Sequence, residues 1–150
     1  MHRRQMLIRY KLFCNDDQTA WGIPPTSVYE TAACYDLAVP CDYTIAGGAC
    51  FELSLNIGFE PEPGHHIEMH PRSSTLIKRG LIVPVSIIDW DYRGPVRIIG
   101  YNTNNHPVKI EKGTRLVQIK AVESIPQAYV QVREMSSTLR GNKGTGSSGK

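Results

Sequence analysis

One stretch of the chain limits its fold more than any other. Phe51, Leu53, Leu55, Ile57 and Phe59 are apolar, and Glu52, Ser54, Asn56 and Gly58 alternate with them. A period of two is the spacing of a strand with one face against a core and one toward water. It predicts a single long strand over residues 51–59. Shorter apolar runs at 7–13, 83–88, 96–101, 108–110, 116–122 and 128–132 also read as strands. Turn formers separate them: Ala46-Gly47-Gly48, Glu62-Pro63-Gly64, the run from Asn102 to Pro107 with His106 as a turn residue, and Lys112-Gly113. Many short strands at close spacing predict an all-β sandwich or barrel. Only residues 74–79, closed by Gly80, read as a helix, with Ser73 or Ser74 as its cap.

With 150 residues, 41% of them hydrophobic and 21% charged, the chain fits one soluble globular domain. No run reaches the roughly 20 apolar residues of a membrane-spanning helix. The first residues lack the apolar core and small-residue cleavage site of a signal peptide. From about Ser136 the composition changes to SSTLRGNKGTGSSGK, with no apolar residue after Leu139. Residues 1–138 are therefore expected to form the β domain and 139–150 a flexible glycine-rich tail.

Net charge is +3 from 17 basic and 14 acidic residues, but Arg3, Arg4, Arg9, Lys11, Arg140, Lys143 and Lys150 all lie near the ends. The body keeps 10 basic against 14 acidic residues, or −4. That balance argues against a nucleic-acid polymer as partner and leaves a small anion open. Cys14, Cys34, Cys41 and Cys50 form no CxxC pair and read as free thiols of a reducing compartment.

Several segments have residue types suited to chemistry. In Ile87-Ile88-Asp89-Trp90-Asp91-Tyr92-Arg93-Gly94 two carboxylates follow an apolar run. If the chain stays extended, they share a side, and Asp89, partly desolvated, suits a general base. The plain alternative is a polar turn with Asp91 pairing Arg93. Pro71-Arg72-Ser73-Ser74 opens the helix, where free N–H groups, two hydroxyls and a guanidinium suit a phosphate. It also reads as ordinary capping. His66, Glu68 and His70 would share a strand face, and without a distant fourth ligand they read as a solvated face more than a metal site. The glycine- and hydroxyl-rich tail with Arg140 can wrap a polyphosphate, or be a terminus without a role.

Together and in this order, these segments resemble the trimeric deoxyuridine triphosphate nucleotidohydrolases, the dUTPases. Ala33-Cys34-Tyr35-Asp36-Leu37 resembles the first of five motifs and Pro71-Arg72-Ser73-Ser74 through Lys78 the second. Ile88-Asp89-Trp90-Asp91-Tyr92-Arg93-Gly94 resembles the third, Gly113-Thr114-Arg115-Leu116-Val117-Gln118-Ile119 the fourth, and Arg140-Gly141 through Gly149 the fifth. The likeness spans about Leu7 to Lys150.

The resemblance implies an all-β jelly roll, or distorted β-barrel of the β-clip type, with one short helix. It implies a homotrimer with three sites between subunits. The implied reaction is hydrolysis of dUTP to dUMP and pyrophosphate with Mg2+, in a cytoplasmic enzyme (a nuclear setting stays open) that has no membrane partner. Asp89 would orient and deprotonate the water that attacks the α-phosphorus. Arg72, Ser73, Ser74 and Gln118 would hold phosphates, and Arg140, Ser147 and Ser148 would clasp them as the tail closes. Val85, Ser86, Ile87, Ile88, Tyr92 and Thr145 would face the nucleoside, with Tyr92 against the deoxyribose. The metal would have no direct protein ligand, and Asp36 would reach it through water. Four departures stand out. Thr145 takes the place of the family's base-stacking aromatic residue, Pro84-Val85-Ser86 replaces a glycine-bearing hairpin, and Cys34 and Lys143 replace glycines. They leave two alternatives: a hydrolase of the same fold with altered base choice, and a non-catalytic relative that binds other proteins. The related dCTP deaminases normally lack such a tail.

Overall fold

The computed structural model describes residues 5–144. In chain order the elements are β1 (Arg9–Leu12), β2 (Tyr35–Ala38), β3 (Tyr43–Ile45), β4 (Cys50–Ser54), β5 (Ile57–Glu60), β6 (His65–Pro71), α1 (Ser73–Arg79), β7 (Leu81–Ile82), β8 (Ser86–Ile88), β9 (Arg97–Asn102), β10 (Val108–Ile110) and β11 (Arg115–Glu123). Every strand pairing is antiparallel. A four-stranded sheet runs β2-β11-β6-β8 and a three-stranded sheet β4-β9-β7, with the pairs β1-β5 and β3-β10 beside them. This is an all-β jelly roll with one short helix. Leu37, Leu55, Ile57, Ile67, Met69, Ile98, Ile110 and Leu116 are fully buried in its common core. Among the described residues no helix is long and apolar enough to cross a membrane.

The expected strand over 51–59 is two strands. The alternation holds, with Leu53, Leu55, Ile57 and Phe59 buried, but the backbone turns a corner at Asn56, whose φ is +52°. Asparagine tolerates that left-handed geometry better than most residues. Here its amide donates to the Ala20 carbonyl at 2.9 Å, and its own carbonyl accepts from the Phe13 N–H at 2.8 Å. The corner lets β4 pair with β9 and β5 pair with β1. Of the expected run 83–88 only Ser86–Ile88 is strand (β8); Pro84, which has no N–H to pair, lies between it and β7 at Leu81–Ile82. The expected strand over 128–132 is absent. Tyr129 and Val130 are 92% and 79% exposed, and the last paired residue is Glu123. A strand needs a neighbouring edge, and among the described residues this segment pairs with none.

The helix begins one residue earlier than expected. Arg72 is the N-cap, with no side-chain cap bond, so neither Ser73 nor Ser74 caps it. Gly80 ends it at φ +64°, where its N–H reaches back to Leu76 and Thr75 carbonyls. The buried Thr75 hydroxyl donates to the Leu116 carbonyl at 2.5 Å, tying α1 to β11.

Candidate functional site

The sheet β2-β11-β6 carries a cluster of charged groups, and a β-bulge makes the cluster possible. Arg115 lies opposite Ala38, Val117 opposite Leu37, and Gln118 opposite Asp36, so the register shifts by one between Arg115 and Val117. The extra residue reverses the alternation. Leu116 and Val117, adjacent in sequence, are both fully buried, and Arg115 and Gln118, three apart, share the outer face with Asp36. Gln118 is also opposite His70 on β6, so a row runs Asp36, Gln118, His70 across three strands.

Asp36 is the hub. Its Oδ1 is 3.1 Å from Arg72 Nε and its Oδ2 is 3.4 Å from Arg115 Nη1, with the carboxylate largely covered. The Arg72 guanidinium also donates to the Arg115 carbonyl at 3.2 Å. Gln118 Nε2 donates to the Pro71 carbonyl at 3.2 Å, just before the helix. Ser73 is exposed and Ser74 half-buried beside this group. Two guanidinium groups, one carboxylate, two hydroxyls and the opening N–H groups of α1 leave the corner net positive and rich in donors, suited to phosphate. Arg115 was not among the expected site residues. Its signal was its place in the Gly113-Thr114-Arg115 segment of the fourth motif.

Asp89 is elsewhere. It follows β8, whose register sets Ile88 opposite Ile67, whereas Ser86 is opposite Met69. β8 thus runs away from the helix start. At about 3.3 Å per residue, Asp89 and Arg72 are on the order of 20 Å apart along β6. One chain does not bring them together. Asp89 is exposed, not partly desolvated as expected, and among the described residues no side chain pairs with its carboxylate. The backbone does not stay extended either: the Tyr92 N–H bonds the Asp89 carbonyl at 3.1 Å and closes a turn. Arg93 lies 3.9 Å from Glu60 and does not pair with Asp91.

Of the expected nucleoside residues, Val85, Ile87 and Tyr92 are exposed and Ser86 is half-buried. The Ile88 side chain is in the core, which leaves only its backbone for a ligand. Tyr92 donates its hydroxyl to the Pro95 carbonyl at 3.0 Å and lies over Gly94, where any Cβ would stand 2.5 Å from that hydroxyl. Arg140 closes a small turn, its Nε donating to the Lys143 carbonyl at 3.0 Å. Thr145, Ser147 and Ser148 lie outside the described residues.

On the same outer face, Glu68 accepts from His70 Nε2 at 2.7 Å and lies 3.5 Å from His66 Nε2 and 3.8 Å from Lys120 Nζ. The His70 hydrogen bond, followed by those of His66 and the Lys120 charge, holds this carboxyl below the usual glutamate range. Among the described residues no three His, Cys, Asp or Glu side chains converge to hold a metal ion. Asp36 keeps both oxygens on guanidinium groups. The donors of this corner therefore suit the phosphate oxygens that a magnesium ion would accompany.

Comparison with known proteins gives a consistent result. The dUTPase family model matches residues 21–149. The deoxyuridine 5'-triphosphate nucleotidohydrolase of Candida glabrata is 32% identical over 130 residues, 86% of this chain and 90% of that protein. The protein of the same name from Paramecium bursaria Chlorella virus 1 is 32% identical over 120 residues, 80% of this chain and 85% of its own. Among solved structures, the Staphylococcus bacteriophage 80alpha dUTPase with dUpNHpp superposes with a TM-score of 0.85, 22% identity, and cover of 96% of this chain and 99% of that one. A mutant dUTPase of phage phi11 of S. aureus, described with a structural Mg(II) ion, gives 0.76 at 16% identity, with cover of 87% and 99%.

Proposed function

Because the chain belongs to the dUTPase family, we propose that it hydrolyses dUTP to dUMP and pyrophosphate, with Asp89 as general base and a homotrimer as the working form. The observation that carries this reading is the Asp36–Arg72–Arg115 cluster beside the helix start, held about 20 Å along β6 from Asp89. A donor-rich phosphate corner and an unpaired carboxylate at opposite ends of one strand suit a site shared between subunits. Exposed Ile125, Tyr129, Val130 and Val132, without a partner strand among the described residues, support assembly.

In this reading Arg72, Arg115, Ser73, Ser74 and Gln118 of one subunit hold the triphosphate. Asp89 of another accepts a proton from water as the water oxygen bonds to the α-phosphorus. The bridging P–O bond on the far side breaks, and pyrophosphate leaves with the electron pair. Asp36 fixes both guanidinium groups, so their orientation is set before substrate arrives. Magnesium, when bound, neutralises charge on the phosphate oxygens. Tyr92, held by Pro95 and Gly94, would lie against the deoxyribose and exclude a 2′-hydroxyl. Arg140, with Thr145, Ser147 and Ser148, would close over the site as the tail folds down. The exposed Val85 next to Pro84, where the family carries glycine, favours a second reading, a hydrolase of the same fold with wider base choice.

The test is pyrophosphate release from dUTP, dCTP, dTTP and UTP with magnesium, with Asp89→Asn alongside. The expected outcome is strong preference for dUTP and a kcat loss of about 10²–10⁴-fold in Asp89→Asn, at unchanged melting temperature. Equal rates on all four nucleotides would select the wider base choice. Wild-type turnover by Asp89→Asn would overturn the general-base reading.

A further inference from the structure

The turn that carries Asp89 is held from below by a guanidinium. Arg93 donates to the carbonyls of Trp90 and of Tyr92, the latter at 3.2 Å, and its guanidinium carbon lies 5.7 Å from the Trp90 ring centroid. One side chain therefore grips two of the three residues that follow Asp89. The grip is itself anchored. Glu60, at the end of β5, lies 3.9 Å from Arg93 Nη2 and accepts two bonds from Arg9 on β1, Nε at 3.0 Å and Nη2 at 2.6 Å. Arg9 and Glu60 are also direct cross-strand partners.

The backbone repeats the connection. A Cβ at Gly58 would stand 2.7 Å from the Gly94 carbonyl oxygen and 3.3 Å from that of Arg93, so the absence of a side chain lets the segment leaving the turn lie on β5. Two residues on, the Val96 N–H bonds the Ile57 carbonyl at 2.8 Å. β5 is thus a platform touching the turn through a side-chain ion network and through the main chain.

We propose that Arg93 is a positioning residue, fixing the Asp89 turn to the β1–β5 pair through Glu60 and Arg9. The proposal rests on Asp89 as general base. Arg93 touches no reacting atom; it sets where the Asp89 carboxylate stands. Exposed ion pairs contribute little to stability, whereas misplacing a catalytic group by about 1 Å costs roughly 100-fold in rate. The signature is therefore a change in kcat without a matching change in melting temperature.

The experiment measures kcat, KM and Tm for the full chain and for Arg93→Ala, Arg93→Lys, Glu60→Gln and Asp89→Asn. Arg93→Ala should lose about 30–100-fold in kcat, with KM within about twofold of wild type. Arg93→Lys keeps the charge without the fork and should recover only part of the loss. Glu60→Gln should lose about threefold, and millimolar guanidinium should restore part of the turnover of Arg93→Ala. Wild-type kcat in Arg93→Ala beside an inactive Asp89→Asn overturns the positioning role alone. A loss confined to KM, or one that tracks a fall in Tm and ignores guanidinium, also overturns it. Full turnover by Asp89→Asn overturns the general-base reading underneath.

Discussion

Asp36 and Glu68 sit two strands apart on one sheet face, and each carboxylate is shared by more than one nitrogen-bearing side chain. Asp36 bridges two guanidinium groups and so keeps them apart and aimed. Glu68 gathers His66, His70 and Lys120, in a place where the His-x-Glu-x-His spacing invited a metal. Its acidity is raised chiefly by the His70 hydrogen bond, while partial covering acts the other way. A folded-state value below the ordinary one means that the stabilisation is fully present above the ordinary glutamate value of about 4.3 and is lost as pH falls through the folded value. Glu68→Gln should therefore melt slightly below wild type at pH 7. The difference should shrink as the pH falls below the ordinary glutamate value and vanish below the lowered one, as thermal melts on acidification will register.

At the scale of elements, the bulge in β11 and the Thr75 tie decide whether the phosphate corner exists. The bulge turns Arg115 and Gln118 to the same side; Thr75 holds α1 against the strand that bears them. Thr75→Val keeps shape and removes the donor, leaving the Leu116 carbonyl with the Arg72 N–H at 3.0 Å as its remaining partner. It should cost about 0.5–1.5 kcal/mol, read as a lower urea midpoint at unchanged slope. Most strands were legible in the sequence because alternation is local, and Gly80 was legible because it acts on its own backbone; β2, β3 and β7 and the break at Pro84 were not, and the apolar run 128–132 read as a strand that the fold does not pair. The corner at Asn56 was not, since it depends on Ala20, 36 residues away. Arg115 was hidden for a related reason: one extra residue reverses the alternation, and the pattern does not announce it. The helix start misled differently, because serines suited to capping stand inside the first turn.

At the scale of the molecule, the motifs in sequence order gave the fold and the residue types but not their distances apart. Asp89 and Arg72 belong to one constellation by resemblance and to opposite ends of β6 by register. This separation makes a sharp prediction. Chains carrying Asp89→Asn and chains carrying Arg72→Ala should each be inactive alone. Refolded together in equal amounts, they should regain roughly a quarter of wild-type turnover, since each shared site then draws both intact halves by chance. No recovery would mean that both groups serve the same site from one chain.

The run of β8 away from the helix start has one more consequence. On the proposed shared site, a subunit on its own carries a grip without a trigger at one end and a trigger without a grip at the other. Its working rate would then be a property of encounter, and specific activity is expected to fall once dilution outpaces association.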